Sequence, residues 1–154
     1  MAALKDQLKS DLTQAMRERD ELRTATIRMA LTAVTTEEVS GSEARELTDD
    51  EVLKVLGREA KKRREAAEAF DGAGRTELAD RERAEGQVLD RYLPAQLGDD
   101  ELAVLVADAV ATVQASGQEG PRAIGAVMKV LQPQVNGRAD GGRVAAQVRQ
   151  ALGT

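Results

Sequence analysis

The stretch Leu-Pro-Ala-Gln-Leu-Gly at residues 93–98 decides the fold, because it interrupts an otherwise helical sequence. Proline has no N–H to donate and its ring collides with the preceding turn, so Pro94 ends a helix. On both sides apolar residues recur at helical spacing, and no segment alternates apolar and polar residues long enough to form a strand. The sequence therefore predicts an all-α protein with two helical domains, residues 1–93 and 99–154, joined by a hinge at 94–98.

The first domain is predicted to be a bundle of four helices, at about 3–19, 20–38, 49–70 and 76–93. The third helix has the clearest start, because Thr48-Asp-Asp-Glu51 is a capping box in which two side chains bind free amides of the first turn. Leu47 and Val52 stand where a hydrophobic staple packs.

The second domain is predicted to contain three helices. An amphipathic helix covers 99–115, a second begins at Pro121 and is closed by Pro133, and Asp140 caps a third. The last helix carries Val144 and Val148 on its apolar face.

Composition excludes several classes of function. The chain has no Cys and no His, and its net charge is −5. Ser-His and Cys-His nucleophiles and thiolate metal sites are therefore absent, and we expect no metal, no cofactor and no catalytic residue. Phe70 and Tyr92 are the only aromatic residues, too few for a base-stacking platform. Because the longest apolar run is short and there are no cysteines, we expect a cytoplasmic protein without a membrane partner. The negative net charge argues against a protein coated in nucleic acid, and we expect no DNA partner.

The segment 124–143 is the most informative about binding. Ile124, Val127 and Leu131 are expected to pack inward, which puts Arg122 and Lys129 together on the outer side of the helix. Cations beside a helix N-terminus favour phosphate.

The turn after that helix adds to the predicted site. Gly137 permits a positive φ, Arg138 is expected to point outward, and Asp140 is expected to cap the helix that displays Arg143. A plain helix–turn–helix hairpin remains the alternative interpretation of this segment.

Charged residues of the first domain allow two interpretations as well. The run Lys61-Lys62-Arg63-Arg64 is either a binding patch, with Arg58, or a solvated surface paired internally through Glu59 and Arg63. Glu82 and Glu85 fall near the inward face of the fourth helix, where an arginine of the preceding helix would be their partner. A catalytic carboxylate pair is the alternative.

The chain resembles the GatB/YqeY family, close to its free-standing YqeY-like members. The matching stretches span nearly the whole chain and are Ile27-Arg28-Met29, Arg58-Glu59-Ala60-Lys61-Lys62-Arg63, Tyr92-Leu93-Pro94, Val127-Met128 and Gly137-Arg138-Ala139-Asp140-Gly141. The resemblance implies two all-helical domains, of which the second is similar to the tail of the B subunit of glutamine-dependent tRNA amidotransferase, a tail that helps grip tRNA. The chain departs from that enzyme because it lacks the Ser-Ser-Lys glutaminase signature and an ATP-binding loop.

The leading hypothesis is a tRNA-associated module that is not catalytic on its own, with a possible protein partner that handles aminoacyl-tRNA. Lys129, Arg138 and Arg143 would contact phosphates, while Gly137, Asp140 and Gly141 would shape the loop. Weaker candidates are Arg122, Arg149, Arg58, Lys61 and Lys62. One alternative is an accessory to, or variant of, glutamine-dependent carbon–nitrogen ligation on aminoacyl-tRNA. The other is a protein-interaction domain.

Overall fold

A computed structural model describes residues 3–153, and those residues form seven α-helices, one short 3-10 turn and no strand. The predicted all-α class is confirmed. The helices are α1 Ala3–Arg17, α2 Glu21–Glu38, α3 Asp49–Gly72, α4 Thr76–Asp90, α5 Asp99–Ala115, α6 Ala123–Val135 and α7 Gly141–Leu152; the 3-10 turn Gly120–Arg122 leads into α6. The chain divides into two compact units, Met1–Pro94 and Ala95–Thr154.

The first unit packs α1 to α4 around one apolar core. Leu8, Ile27, Leu56 and Leu89, one from each helix, are each at most 1% exposed. The capping box of α3 is confirmed, because Thr48 Oγ1 accepts a hydrogen bond from the Glu51 amide at 3.3 Å and Glu51 accepts one from the Thr48 amide at 2.9 Å. The flanking staple residues, Leu47 and Val52, are buried in the same core.

A buried ion-pair cluster joins α3 to α4 within this unit. Arg63 Nε lies 3.1 Å from Glu85 Oε2 and 3.7 Å from Glu82 Oε2, and the Arg63 side chain is 13% exposed. The predicted arginine partner of the two glutamates is therefore confirmed. Glu59 also pairs with Arg63, at 3.5 Å, as the helical spacing predicts.

The second unit packs α5, α6 and α7 around a separate core. Leu102, Val127, Leu131, Val144 and Val148 are fully buried, and Ile124 packs partly buried against them. The inward face predicted for α6 is thus confirmed.

Several helix ends differ from the predicted ones. Pro133 does not close α6, which continues to Val135. It lies in the last turn, where its missing N–H costs a single bond to the carbonyl four residues earlier, and the Asn136 amide still donates to the Gln132 carbonyl at 3.1 Å. Likewise α1 ends at Arg17 because Arg19 adopts a left-handed φ of 57°, and α4 ends at Asp90.

Candidate nucleic-acid interface

Arg122 and Lys129 form an exposed pair of cations on the outer side of α6. Arg122 already has helical backbone angles, with φ −67° and ψ −25°, so the two residues are seven positions apart on one helical path. That separation is about 10 Å along the axis and nearly two whole turns, which puts both side chains on one side. Neither has a hydrogen-bond or ion-pair partner among residues 3–153.

Between these two cations the helix surface has a position without a side chain, Gly125. Gly125 is exposed, and a Cβ built on it would meet nothing within 4 Å. Apart from its neighbours along the helix, no other part of the described chain covers the backbone at this position. We call Arg122, Gly125 and Lys129 the α6 stripe.

The turn after α6 has the predicted backbone conformation. Gly137 has φ 72°, in the left-handed region that favours glycine, and the amides of Arg138 and Ala139 both donate to the Val135 carbonyl, at 2.8 and 3.1 Å. This part of the prediction is confirmed.

Arg138 does not point outward, which corrects the prediction. Its side chain is half-buried, and Nε donates to the Ala95 carbonyl at 3.0 Å. Two more hydrogen bonds join the same segments: the Leu97 amide donates to the Arg138 carbonyl at 2.8 Å, and Gln96 Nε2 donates to the Gly137 carbonyl at 2.8 Å. Residues 95–99, which we call the strap, are therefore fastened to the loop between α6 and α7.

Arg143 is fastened to the same strap. Its Nε donates to Asp99 Oδ1 at 3.0 Å, and its Nη2 donates to the Leu97 carbonyl at 2.9 Å. The Arg143 side chain is 35% exposed and the Asp99 side chain 85% exposed, so this ion pair lies at the surface. Two of the three cations predicted to contact phosphate thus make internal hydrogen bonds.

Asp140 takes the N-cap position of α7, as predicted, but its carboxylate makes no capping hydrogen bond. The first bond of the helix runs from the Val144 amide to the Asp140 carbonyl at 3.0 Å. The predicted side-chain cap is therefore wrong for this helix. Gly141 and Gly142, which follow, are both exposed at its N-terminus.

The weaker candidates of the first unit are engaged in ion pairs along the helix surface. Arg58 pairs with Glu37 at 3.2 Å, and the two lysines pair with glutamates on α3, Lys62 with Glu59 at 3.1 Å and Lys61 with Glu65 at 3.9 Å. This geometry favours the solvated, internally paired interpretation of the basic run. Arg149 is exposed in the last turn of α7.

Sequence reasoning missed the strap. Asp99 and Gln96 contact residues more than 40 positions away in the chain, and no local pattern reports a contact over that distance. The only signal was the acidic start of α5, which helix capping explains equally well.

Residues 3–153 contain neither a membrane-spanning helix nor a cluster of acidic metal ligands. No described helix is long and apolar enough to cross a membrane. In the same part of the chain, acidic side chains form no group of three or more that could hold a metal ion.

The chain is similar to known proteins over most of its length. The model of the family described as "Yqey-like protein" matches residues 5–152. A relative in Clavispora lusitaniae (strain ATCC 42720), named "Altered inheritance of mitochondria protein 41, mitochondrial", is 33% identical over 91 residues, which cover 59% of this chain and 52% of the relative. The match thus spans about half the length of that relative. Its name says that the relative is mitochondrial, so the cytoplasmic location expected for this chain stays a prediction.

Proposed function

This chain belongs to the Yqey-like protein family, and from that membership we propose that it is a helical module that binds tRNA through its second unit and is not catalytic on its own. The observation that carries the proposal is the α6 stripe, in which Arg122 and Lys129 are exposed, lie on one side of a helix and have no partner among the described residues. Two unpaired cations beside an open glycine suit the phosphate backbone of a folded RNA.

Other groups of the second unit can also bind a phosphate. Arg143 keeps Nη1 and Arg138 keeps Nη2 outside the hydrogen bonds that fasten the strap. The first amides of α7, at Gly141 and Gly142, carry the positive end of the helix dipole. All these groups favour a negatively charged oxygen.

Charge sets the expected strength of binding. Residues 95–154 contain five basic and six acidic side chains, a net charge of −1. Long-range attraction to RNA is therefore weak, and binding depends on the local cations. A site with two to four phosphate contacts gives salt-sensitive affinity in the micromolar range.

The test is a titration of unfractionated tRNA into the full chain at several salt concentrations, followed by fluorescence anisotropy. The double variant Arg122→Gln/Lys129→Gln should weaken binding and reduce the slope of log affinity against log salt by about 1.5 units, because each phosphate contact contributes about 0.7–0.9.

The matched control is Lys54→Gln/Arg64→Gln, which removes the same charge from two exposed positions of α3 that have no partner in the described part of the chain. We expect this control to keep the parent's slope. A double α6 variant that binds tRNA like the parent at every salt concentration would remove the site from α6.

A further inference from the structure

The first unit contains a polar cavity of about 280 Å³. It lies among α1, α2 and the C-terminal end of α4, and its lining includes Gln7, Asp11, Arg23, Arg91 and Tyr92. The volume is just below the range for ligand sites, which is about 300–1,000 Å³. A cavity of this size suits a small polar molecule or a single functional group.

One side of the cavity is fixed by internal hydrogen bonds. The Tyr92 hydroxyl donates to Asp11 Oδ2, and Gln7 Nε2 donates to Asp11 Oδ1 at 2.8 Å. Each oxygen of the carboxylate therefore accepts one hydrogen bond. Burial and the hydrogen bond to Asp11 raise the pKa of Tyr92, so its hydroxyl stays protonated and keeps this bond.

The lining also contains two guanidinium groups with unused donors. Arg91 is exposed and has no hydrogen-bond or ion-pair partner among residues 3–153. Arg23 donates from Nη1 to Glu18 at 2.9 Å, and its Nε and Nη2 have no partner in the same part of the chain. The charged residues that line the cavity, Arg23, Arg91 and Asp11, sum to +1.

We propose that this cavity binds one tetrahedral oxyanion, namely inorganic phosphate or the phosphate group of a small phosphorylated compound. The planar guanidinium fork matches the spacing of two phosphate oxygens, and two such groups at one concave site can hold three or four of them. The hydrogen bonds from Tyr92 and Gln7 hold the Asp11 carboxylate in place and offset part of its negative charge, so that the two guanidinium groups outweigh it. The proposal rests on the first unit alone and is independent of tRNA binding by the second.

The experiment is a titration of the full chain with inorganic phosphate at constant ionic strength, followed by NMR of the arginine Nε–H groups. We expect the signals of Arg23 and Arg91 to shift together along one binding curve, while that of Arg64, exposed on α3 and outside the cavity, stays in place. A parallel titration with glycerol phosphate distinguishes the free ion from a phosphate ester: a lower dissociation constant for the ester identifies the small phosphorylated compound.

Variants give the second readout. Arg91→Gln should weaken phosphate binding about tenfold, the loss typical of one charge-assisted hydrogen bond, and Arg64→Gln should leave it unchanged. Tyr92→Phe should also weaken binding, because it releases an oxygen of Asp11 toward the anion. Equal affinities of the parent and Arg91→Gln, or shifts of Arg64 as large as those of Arg91, would overturn the proposal. Failure of both phosphate compounds to bind would overturn it as well.

Discussion

Glu51 joins two stabilising features at the start of α3. Its carboxylate accepts a forked pair of hydrogen bonds from Arg45, at 2.8 and 2.9 Å, and also accepts the Thr48 amide of the capping box. The Arg45 guanidinium, and then the Thr48 amide, lower the pKa of Glu51 from 4.5 to about 2. The hydrogen bond from Lys5 likewise lowers the pKa of Glu38.

These shifts predict how stability depends on pH. Because the pKa of Glu51 is lower in the folded protein than in the unfolded chain, its contribution is complete above pH 4.5 and is lost as pH falls toward 2. Between pH 6 and pH 3, the thermal unfolding midpoint of Glu51→Gln should therefore fall by less than that of the parent. It should still fall, because Glu38 also contributes to the pH dependence of stability. Thermal unfolding followed by circular dichroism at each pH measures this.

The control for that measurement is Glu43→Gln, at an exposed glutamate with no hydrogen-bond partner within residues 3–153. Its midpoint should follow the parent's at every pH. If the Glu51 variant lost as much as the parent over the same range, the ion pair with Arg45 would have no part in acid stability.

Arg63 forms ion pairs with glutamates of both α3 and α4. The side chain of Glu85, its nearest carboxylate, is only 9% exposed, so removing Arg63 leaves a buried charge without its main partner. We expect Arg63→Met to lower the free energy of unfolding by about 3 kcal/mol in urea denaturation.

Arg81→Met is the matched control for Arg63. Arg81 also pairs with Glu85, at 3.4 Å, but its side chain is 64% exposed. Because exposed ion pairs contribute little, this variant should lose less than about 1 kcal/mol. Equal losses in the two variants would show that burial of Arg63 does not matter.

At the scale of elements, the strap explains why the predicted cations of the loop are only partly available. Asp99 at the start of α5 engages Arg143 across 44 positions of the chain. Asp99→Asn removes the charge that holds this guanidinium. We therefore expect it to raise tRNA affinity about threefold at low salt, by about the energy of an exposed ion pair, with little effect on the unfolding midpoint.

Asp108→Asn separates this effect from net charge. Asp108 is exposed on the same helix, and its carboxylate has no hydrogen-bond or ion-pair partner among residues 3–153. Anisotropy titrations of both variants against one tRNA preparation make the comparison. If both variants raised affinity equally, the gain would come from charge alone and not from release of Arg143.

The elements differ in how far the sequence predicts them. The start of α3 is predictable because its capping box and staple lie within six consecutive residues. The positive φ of Gly137 is predictable because a tight turn needs it and glycine adopts it readily. The end of α6 is not predictable from Pro133, because a proline in the last turn removes only one hydrogen bond of the helix. The direction of Arg138 is not predictable, because it is decided by the Ala95 carbonyl 43 positions away.

At the scale of the molecule, the chain has two apolar cores that share no residue, one within residues 3–94 and one within residues 95–153. Periodic apolar stripes and a central proline suffice to predict helices and their approximate order. The candidate site is less predictable: the sequence places two cations on one side of α6, but it does not reveal which cations of the following loop make internal hydrogen bonds.

The central claim is that tRNA binds to the second unit through the α6 stripe. The most direct measurement is an amide chemical-shift map of the full chain titrated with tRNA. We expect the largest shifts at Arg122, Gly125 and Lys129, with smaller ones at Gly141 and Gly142, and a gradual loss of all of them as salt is raised. Shifts confined to residues 3–94, or an unchanged spectrum at low salt, would contradict the account.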